Sequence, residues 1–292
     1  MRAWPSRTIL LHRVAAAAIG LVVALGAVAV GGHLAWSAIG VFVGAGYYVG
    51  STRRFRRRRK LLAAPLADDD RKLLDDRVRF YRRLDGEARR RFEDDVRIFL
   101  DEQVIAGAGD HDVDRTTQLL IAASAAMLTN GMPEHEWPRM RDIVVYPQAF
   151  DDDYHLSEDA RVAGQVHLRG PIIFSARDLK LGFRKEEGHN VGLHELAHVI
   201  DMEDGHADGV PVDAAFTATA PWVTVVADRL RRLRRGKSSP LRDYGAINEA
   251  ELFAVAVETF FEKPDELARR DEELFELLRD YFNQDPREPG GT

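Results

Sequence analysis

The sequence predicts an α+β fold, in which a mostly helical domain contains a small mixed sheet and follows an N-terminal helical hairpin of membrane-spanning length. Three observations support this prediction. Residues 14–50 are apolar or small almost throughout. Apolar residues recur at helical spacing over most of 71–128 and 191–282. Short runs typical of β-strands lie between these regions, at 143–146, 162–168 and 172–174.

The composition limits the kind of site that the chain can build. The 292 residues include no cysteine, which excludes disulfides and thiolate ligands, so a metal site would use His, Asp and Glu. Residues 1–60 contain ten Lys and Arg residues and no acid. The remainder holds 31 of the 41 basic residues and all 47 acids, a net charge of −16. An acidic body argues against direct nucleic-acid binding.

The N-terminal apolar stretch is too long for one membrane-spanning helix. A single helix would reach about 55 Å, whereas the hydrocarbon core of a membrane is about 30 Å thick. Two helices near 14–31 and 34–50 fit better, with Gly31-Gly32-His33 as the turn. Two glycine pairs would offer small faces for packing between these helices, Gly40 with Gly44 and Gly46 with Gly50.

Positive charges flank the hairpin on both sides. Arg2, Arg7 and Arg13 precede it, and the basic run 53–60 follows it. Because basic flanks tend to stay in the cytoplasm, we expect both ends of the hairpin on the cytoplasmic side. The alternatives are a signal peptide cleaved after Ala27-Val28-Ala29 and a soluble core hairpin.

Three helices are predicted between a linker at 61–70 and the sheet. They span about 71–83, 85–102 and 114–128. Gly107 and Gly109 indicate a loop between the second and third helices. The third helix is rich in alanine and ends at Asn130-Gly131, and we expect it to pack closely against the helix near 191–201.

The sheet is predicted from three short strands. Residues 143–146 form one strand, and 162–168 pairs with 172–174 in a hairpin around Arg169-Gly170-Pro171. An exposed edge strand beside a catalytic site can hold an extended peptide through main-chain hydrogen bonds. A hairpin with a purely structural role fits the sequence equally well.

The most specific feature is the segment His194-Glu195-Leu196-Ala197-His198. Residues four apart lie on one helix face, so the two histidines can bind one Zn²⁺ through ring nitrogens. Glu195 can then act as general base towards a water on the metal. Asn190 offers an N-cap for this helix, and Asp204-Gly205 offers a stop. A buried amphipathic helix with two ordinary histidines is the alternative.

The third metal ligand must come from elsewhere in the chain, because a catalytic zinc usually has three protein ligands and a water. Glu249, Glu251 and Glu258 lie in an apolar helix predicted at 248–262, where an unpaired carboxylate is costly. Glu249 belongs to the first turn, where an acid suits the helix dipole. Glu251 and Glu258 share a face, and their spacing alone does not choose between them. Further helices are predicted at 222–235 and 266–282.

Residues 62–285 resemble the Mlc titration factor A family of bacterial zinc-dependent peptidases. The matching segments are His194–His198 with Asp201, Asp208–Pro211, Tyr244–Phe261, Ile143–Pro147 and Gly170-Pro171. The resemblance implies that the third ligand is the Glu seven residues after a Tyr, which is Glu251 after Tyr244. The same spacing occurs in the lethal factor type of metallopeptidase. The hairpin departs from the soluble members of the family.

The resemblance implies aminopeptidase-like hydrolysis by a zincin-like domain with one Zn²⁺ per chain, bound by His194, His198 and Glu251. Glu195 is then the base. Tyr244 is suited to donate a hydrogen bond to the oxyanion, or else is a packed tyrosine. Asp201 could orient a ligand ring, or else bond the backbone nearby at the helix end.

The sequence therefore predicts a zinc-dependent peptidase tethered through residues 14–50 to a bacterial inner membrane, with its catalytic domain in the cytoplasm. Residues 1–60 would form the hairpin with its basic flank, residues 61–285 a zinc metallopeptidase domain, and residues 286–292 a loose tail. The partner would be a peptide or protein substrate. The alternatives are a cytosolic location and a regulatory zinc protein that binds a transcriptional repressor with little hydrolysis.

Overall fold

The computed structural model describes residues 6–31, 33–138, 142–149, 164–166, 170–185, 188–211 and 216–288. Contacts divide the chain into two units, Arg2–Pro65 and Leu66–Thr292. The first unit begins with two long apolar helices. The second contains the sheet and the segment that carries the two histidines.

The first unit is a helical hairpin followed by a short basic helix. Its helices are α1 (Ser6–Gly31), α2 (Ser37–Ser51) and α3 (Arg53–Leu61). Two segments of this unit, Arg7–Gly31 and Leu34–Ser51, are long and apolar enough to cross a membrane. Most of their large apolar side chains are exposed, as lipid-facing side chains are. The two predicted helices are confirmed, and their composition suggests membrane association.

Small residues bring α1 and α2 together. A Cβ atom added at Gly40 would collide with the Gly20 carbonyl and Ala24, and one at Gly44 would lie 2.6 Å from the Ala16 carbonyl oxygen. The packing role of this pair is therefore confirmed. The same prediction for Gly46 and Gly50 is wrong, since no atom of the described residues lies within 4 Å of an added Cβ atom at either position. Six residues turn a helix by about 240°, so this pair faces away from α1.

The second unit contains ten α-helices and four strands among the described residues. The helices are α4 (Asp68–Arg77), α5 (Arg79–Arg83), α6 (Gly86–Glu102), α7 (Arg115–Thr129), α8 (Ala176–Lys185), α9 (Val191–Asp201), α10 (Phe216–Arg234), α11 (Glu249–Glu262), α12 (Pro264–Arg270) and α13 (Glu272–Phe282). The strands are β1 (Ile105–Gly107), β2 (Ile143–Tyr146), β3 (Gly164–Val166) and β4 (Ile172–Ser175). The predicted α+β class, mostly helical with a small mixed sheet, is confirmed.

Two predicted helices are each interrupted. The helix predicted at 71–83 breaks at Val78, which is fully buried in an extended conformation (φ −111°, ψ 97°). The helix predicted at 266–282 breaks at Asp271, whose side chain accepts the Leu274 N–H and caps α13. In both cases burial or capping of one residue outweighs a continuous helical pattern.

The sheet has the order β1-β2-β4-β3, with β1, β2 and β4 parallel and β3 antiparallel to β4. The predicted hairpin pairing of β3 with β4 is confirmed for 164–166, while 162, 163 and 167–169 lie outside the described residues. The loop predicted at Gly107 is wrong, because this residue ends β1. A Cβ atom there would collide with the His111 carbonyl, so glycine allows a close approach of backbone rather than a flexible turn.

The helices that flank the sheet form a core around α9 and α11. Every residue of α9 is buried, and a Cβ atom added at Gly192 would collide with Ser124 Oγ of α7. The expected close packing of the alanine-rich α7 against α9 is therefore confirmed. After α13, the Asn283 and Gln284 side chains donate to the Gly131 and Met127 carbonyls near the end of α7, at 2.9 and 2.8 Å.

Candidate metal centre

Helix α9 starts where the sequence predicts. The Asn190 side-chain oxygen accepts the backbone N–H groups of Gly192 and Leu193 at 3.1 and 3.3 Å. This N-cap sets the start of the helix, and therefore the face on which His194 and His198 lie. Their rings are neighbours, with centroids 4.9 Å apart.

Helix α11 brings a carboxylate to the two histidines. The Asn248 side chain caps this helix by accepting the Glu251 N–H at 2.8 Å. The Glu251 carboxylate in the first turn then faces α9. Its Oε2 lies 3.0 Å from His194 Nε2 and 3.6 Å from His198 Nε2, and the two Nε2 atoms are 3.3 Å apart.

These three atoms fit a tetrahedral metal site. Bonds of about 2.0–2.1 Å to a tetrahedral zinc place its ligand atoms about 3.3 Å from one another. The three observed separations, 3.0, 3.3 and 3.6 Å, lie around that value. His194, His198 and Glu251 are thus a group that could hold a metal ion. Two imidazoles and one carboxylate, with no thiolate, are a donor set of catalytic zinc sites.

The pKa values of His194 and Glu251 depend on the hydrogen bond between these two residues. Burial lowers the pKa of His194, but hydrogen bonds to Glu251 and Glu258 outweigh it and raise this pKa to about 10. Burial also raises the pKa of Glu251, and its hydrogen bonds to His194 and His198 outweigh this and lower it to about 2. Both pKa shifts have the same cause, because the negatively charged carboxylates stabilise the protonated form of His194. A metal cation competes with that proton for the imidazole nitrogen.

Glu195 lies beside this group on α9, where it is buried. Burial raises the pKa of its carboxyl to about 8, His194 opposes the rise, and Glu251 and Glu258 add to it. The edge strand β3 passes directly over this carboxyl, because a Cβ atom added at Gly164 would collide with it. Burial and the acidic neighbours therefore increase the affinity of this carboxylate for a proton, which suits a general base.

Glu258 contacts the opposite side of the His194 ring. Its Oε1 accepts the Nδ1–H of His194 at 2.7 Å and a hydrogen bond from Arg242, while Oε2 accepts the Asn190 N–H at 2.7 Å. The structure thus brings Glu251, and not Glu258, to the two Nε2 atoms. Arg242 was missed by the sequence analysis, since nothing in its local pattern marks it.

Tyr244 lies at the rim of the site. It belongs to the 3₁₀ turn Asp243–Ala246 before α11, and its ring centroid is 5.8 Å from that of His194. Its side chain is about half exposed. Burial, Glu251 and Glu195 raise the pKa of its hydroxyl, which therefore stays protonated and able to donate.

Asp201 is the last residue of α9 and binds the following loop. Its Oδ2 accepts the Gly209 N–H at 3.1 Å, and Gly209 has a positive φ of 72°. Its Oδ1 and the Nδ1 of His198 are both buried and have no hydrogen-bond partner among the described residues. Asp201 therefore bonds the loop backbone, and in the described part of the chain it makes no hydrogen bond to the ring of His194 or His198.

Comparisons with known proteins find a metallo-peptidase family model and several relatives. A family model for glucose-regulated metallo-peptidase M90 matches residues 52–283. Uncharacterized protein slr2042 of Synechocystis is 33% identical over 249 residues, which cover 79% of this chain and 89% of that protein. Mlc titration factor A of Cronobacter sakazakii is 32% identical over 167 residues, 52% of this chain and 62% of that protein. That of Salmonella gallinarum matches to the same extent.

Proposed function

The chain belongs to the glucose-regulated metallo-peptidase M90 family, and from this membership we propose that it is a zinc-dependent peptidase. The observation that carries the proposal is the convergence of His194 Nε2, His198 Nε2 and Glu251 Oε2 beside Glu195. A protein that only binds a partner has no need of a buried base next to three ligand atoms. The chain spans 62% of the length of the Mlc titration factor A proteins that it matches. The substrate and partners of this chain are therefore part of the proposal.

The roles of the residues follow from their chemistry. When bound, zinc polarises the substrate carbonyl and lowers the pKa of water to about 7. Glu195 accepts the proton of the attacking water and passes it to the leaving amine. The Tyr244 hydroxyl donates a hydrogen bond to the substrate oxygen on which negative charge develops. Asp201 would act on the site only indirectly, through the loop at Gly209.

The substrate is proposed to be a peptide or protein in extended form. Strand β3 is an edge strand of the described sheet, and its backbone at Gly164 lies directly against the Glu195 carboxyl. A peptide that pairs with this edge would pass its main chain across the candidate base. An edge strand beside helix α9 also supports a zincin-like architecture for the domain, while aminopeptidase-like cleavage is proposed from the family resemblance alone.

The location is proposed from the hairpin. Helices α1 and α2 would anchor the chain in a bacterial inner membrane, and the basic helix α3 would lie at its cytoplasmic surface. The domain boundaries at about 60 and 285 belong to the same proposal. The catalytic domain would then act on cytoplasmic peptides or on proteins near the membrane.

The experiment is metal analysis and peptide cleavage with the full-length chain purified in detergent. We expect one zinc per chain, cleavage of a mixed peptide set detected by mass spectrometry, loss of cleavage with a chelator, and recovery with zinc. Cleavage from the amino terminus would support aminopeptidase-like activity. A zinc-loaded chain that cleaves no peptide in a broad set would contradict the proposal.

A regulatory role is the second candidate, and the name of the Mlc titration factor A relatives favours it. In that case the metal centre would organise a surface for an Mlc-like repressor, and hydrolysis would be incidental. Pulldown of such a repressor by wild type and by Glu195→Gln distinguishes the two functions. Binding that survives this substitution while hydrolysis is lost would support the regulatory role, and loss of binding on metal removal would show that the metal organises the surface.

A further inference from the structure

Glu258 is a completely buried carboxylate with a full set of donors. Its side chain has no exposed surface, and it accepts hydrogen bonds from the His194 ring, the Asn190 backbone and the Arg242 guanidinium. An isolated buried carboxylate would be strongly destabilising, whereas one with charged and polar donors is tolerated. The sequence pattern alone assigns this residue no role apart from that of a possible ligand.

The contact with His194 determines how that ring presents its second nitrogen. Because Glu258 accepts the hydrogen on Nδ1, Nε2 is the nitrogen of His194 left to bind a metal once the cation displaces its proton. Nε2 is the atom that faces Glu251 and His198. A carboxylate on the far nitrogen of a metal-binding imidazole sets its tautomer and orientation and increases its basicity.

Arg242 connects this carboxylate to the rim of the site. Its side chain is only 31% exposed, and it donates to the same Glu258 oxygen that accepts from His194. Its guanidinium lies 6.0 Å from the centre of the Tyr244 ring. Arg242 therefore contacts both Glu258, which bonds the His194 ring, and Tyr244, which is proposed to bind the substrate oxygen.

We propose that Glu258 and Arg242 are positioning residues for the metal centre. Glu258 holds the His194 ring with Nε2 directed at the ligand group, and Arg242 holds Glu258 in place while supporting the Tyr244 side chain. This inference rests on the proposed function, because it requires that the His194 group binds a metal.

A matched set of variants tests the proposal in the full-length chain purified in detergent. The test variants are Glu258→Gln, which keeps the size of the side chain, and Arg242→Ala. The control is Arg234→Ala. Arg234 donates to the Ala246 and Ile247 carbonyls at 2.9 and 2.8 Å, so it supports the same turn without contacting Glu258.

Two readouts report on the metal centre without using activity. Zinc affinity is measured by competition with a chromophoric chelator, and ligand geometry by the visible absorption of the Co²⁺-substituted protein. We expect Glu258→Gln and Arg242→Ala to weaken zinc binding about 10–100-fold and to change the Co²⁺ spectrum. Arg234→Ala should leave both unchanged, and Arg242→Lys should recover part of the affinity.

A comparison of the double variant with the single variants distinguishes loss of the Arg242–Glu258 contact from a general loss of structure. If Arg242 acts through Glu258, adding Arg242→Ala to Glu258→Gln should cause little further loss of zinc affinity. Wild-type affinity in Arg242→Ala, or an equal loss in Arg234→Ala, would overturn the inference and leave the proposed function standing. A wild-type chain that binds no zinc would overturn the proposed function and the inference together.

Discussion

Substitution of Glu251 by alanine tests the ligand set most directly. The three ligand atoms are spaced as a tetrahedral zinc requires, so removal of one should leave two nitrogens and a much weaker site. Binding free energies of about 10–16 kcal/mol for four-ligand zinc sites correspond to about 2.5–4 kcal/mol per ligand. We therefore expect Glu251→Ala to raise the zinc Kd about 10²–10³-fold.

The predicted loss can be measured as a change in thermal stability. Zinc at a thousand times the wild-type Kd stabilises the folded state by about 4.1 kcal/mol. A domain of this size shifts in Tm by about 2–4 °C per kcal/mol, so zinc should raise the wild-type Tm by about 8–16 °C. The same zinc concentration is about 1–10 times the Kd of Glu251→Ala, which gives about 0.4–1.4 kcal/mol. The expected shift for this variant is then about 1–6 °C.

The assay is a thermal melt of each protein with zinc and with chelator, so that each variant is compared with its own metal-free state. Glu249→Ala is the control, because Glu249 is exposed in the same first turn of α11. Its loss weakens only the helix-dipole interaction, by about 0.3–1 kcal/mol. A full zinc shift in Glu251→Ala would refute the ligand assignment, as would loss of the shift in the control.

Three further predictions concern catalysis and packing. Glu195→Gln should keep its zinc and lower the rate of peptide hydrolysis about 10²–10⁴-fold, and an unchanged rate would exclude Glu195 as the base. Gly164→Ala should lower kcat/KM about a hundredfold with zinc content unchanged, because its Cβ atom would displace the Glu195 carboxyl. Gln165→Ala on the same strand is its control, and an equal effect there would exclude this explanation. Gly192→Ala should lower the free energy of unfolding in urea by about 1–2 kcal/mol, since overpacking against Ser124 exceeds the gain in helix propensity. Greater stability would contradict the close packing of α7 on α9.

The parts of the site that depend on local geometry could be predicted from the sequence. His194 and His198 share a face because they are four apart in one helix, and Asn190 caps that helix as its position indicates. The choice between Glu251 and Glu258 could not be made in this way. The two lie about 10 Å apart along α11, so the one that meets the histidines depends on how α11 crosses α9.

The remaining differences also arise from contacts distant in sequence. Strand β1 has three residues and exists because Ile105–Gly107 pairs in parallel with Ile143–Val145. Such a segment shows no alternation of its own, and its glycine suggests a loop. Arg242 reaches Glu258 from a turn outside α11, and an arginine in a turn is most often a solvated side chain. Val78 interrupts a continuous helical pattern only because the fold buries it.

The N-cap of α9 has a consequence for the rate at which metal leaves the site. Asn190 caps this helix, donates its backbone N–H to Glu258, and donates its side-chain amide to Glu262 at 3.1 Å. Fraying of the first turn of α9 would therefore break the cap and remove a donor from the carboxylate behind His194 in a single event. We expect metal exchange and hydrogen exchange at these amides to follow the same local opening, and both to be slow.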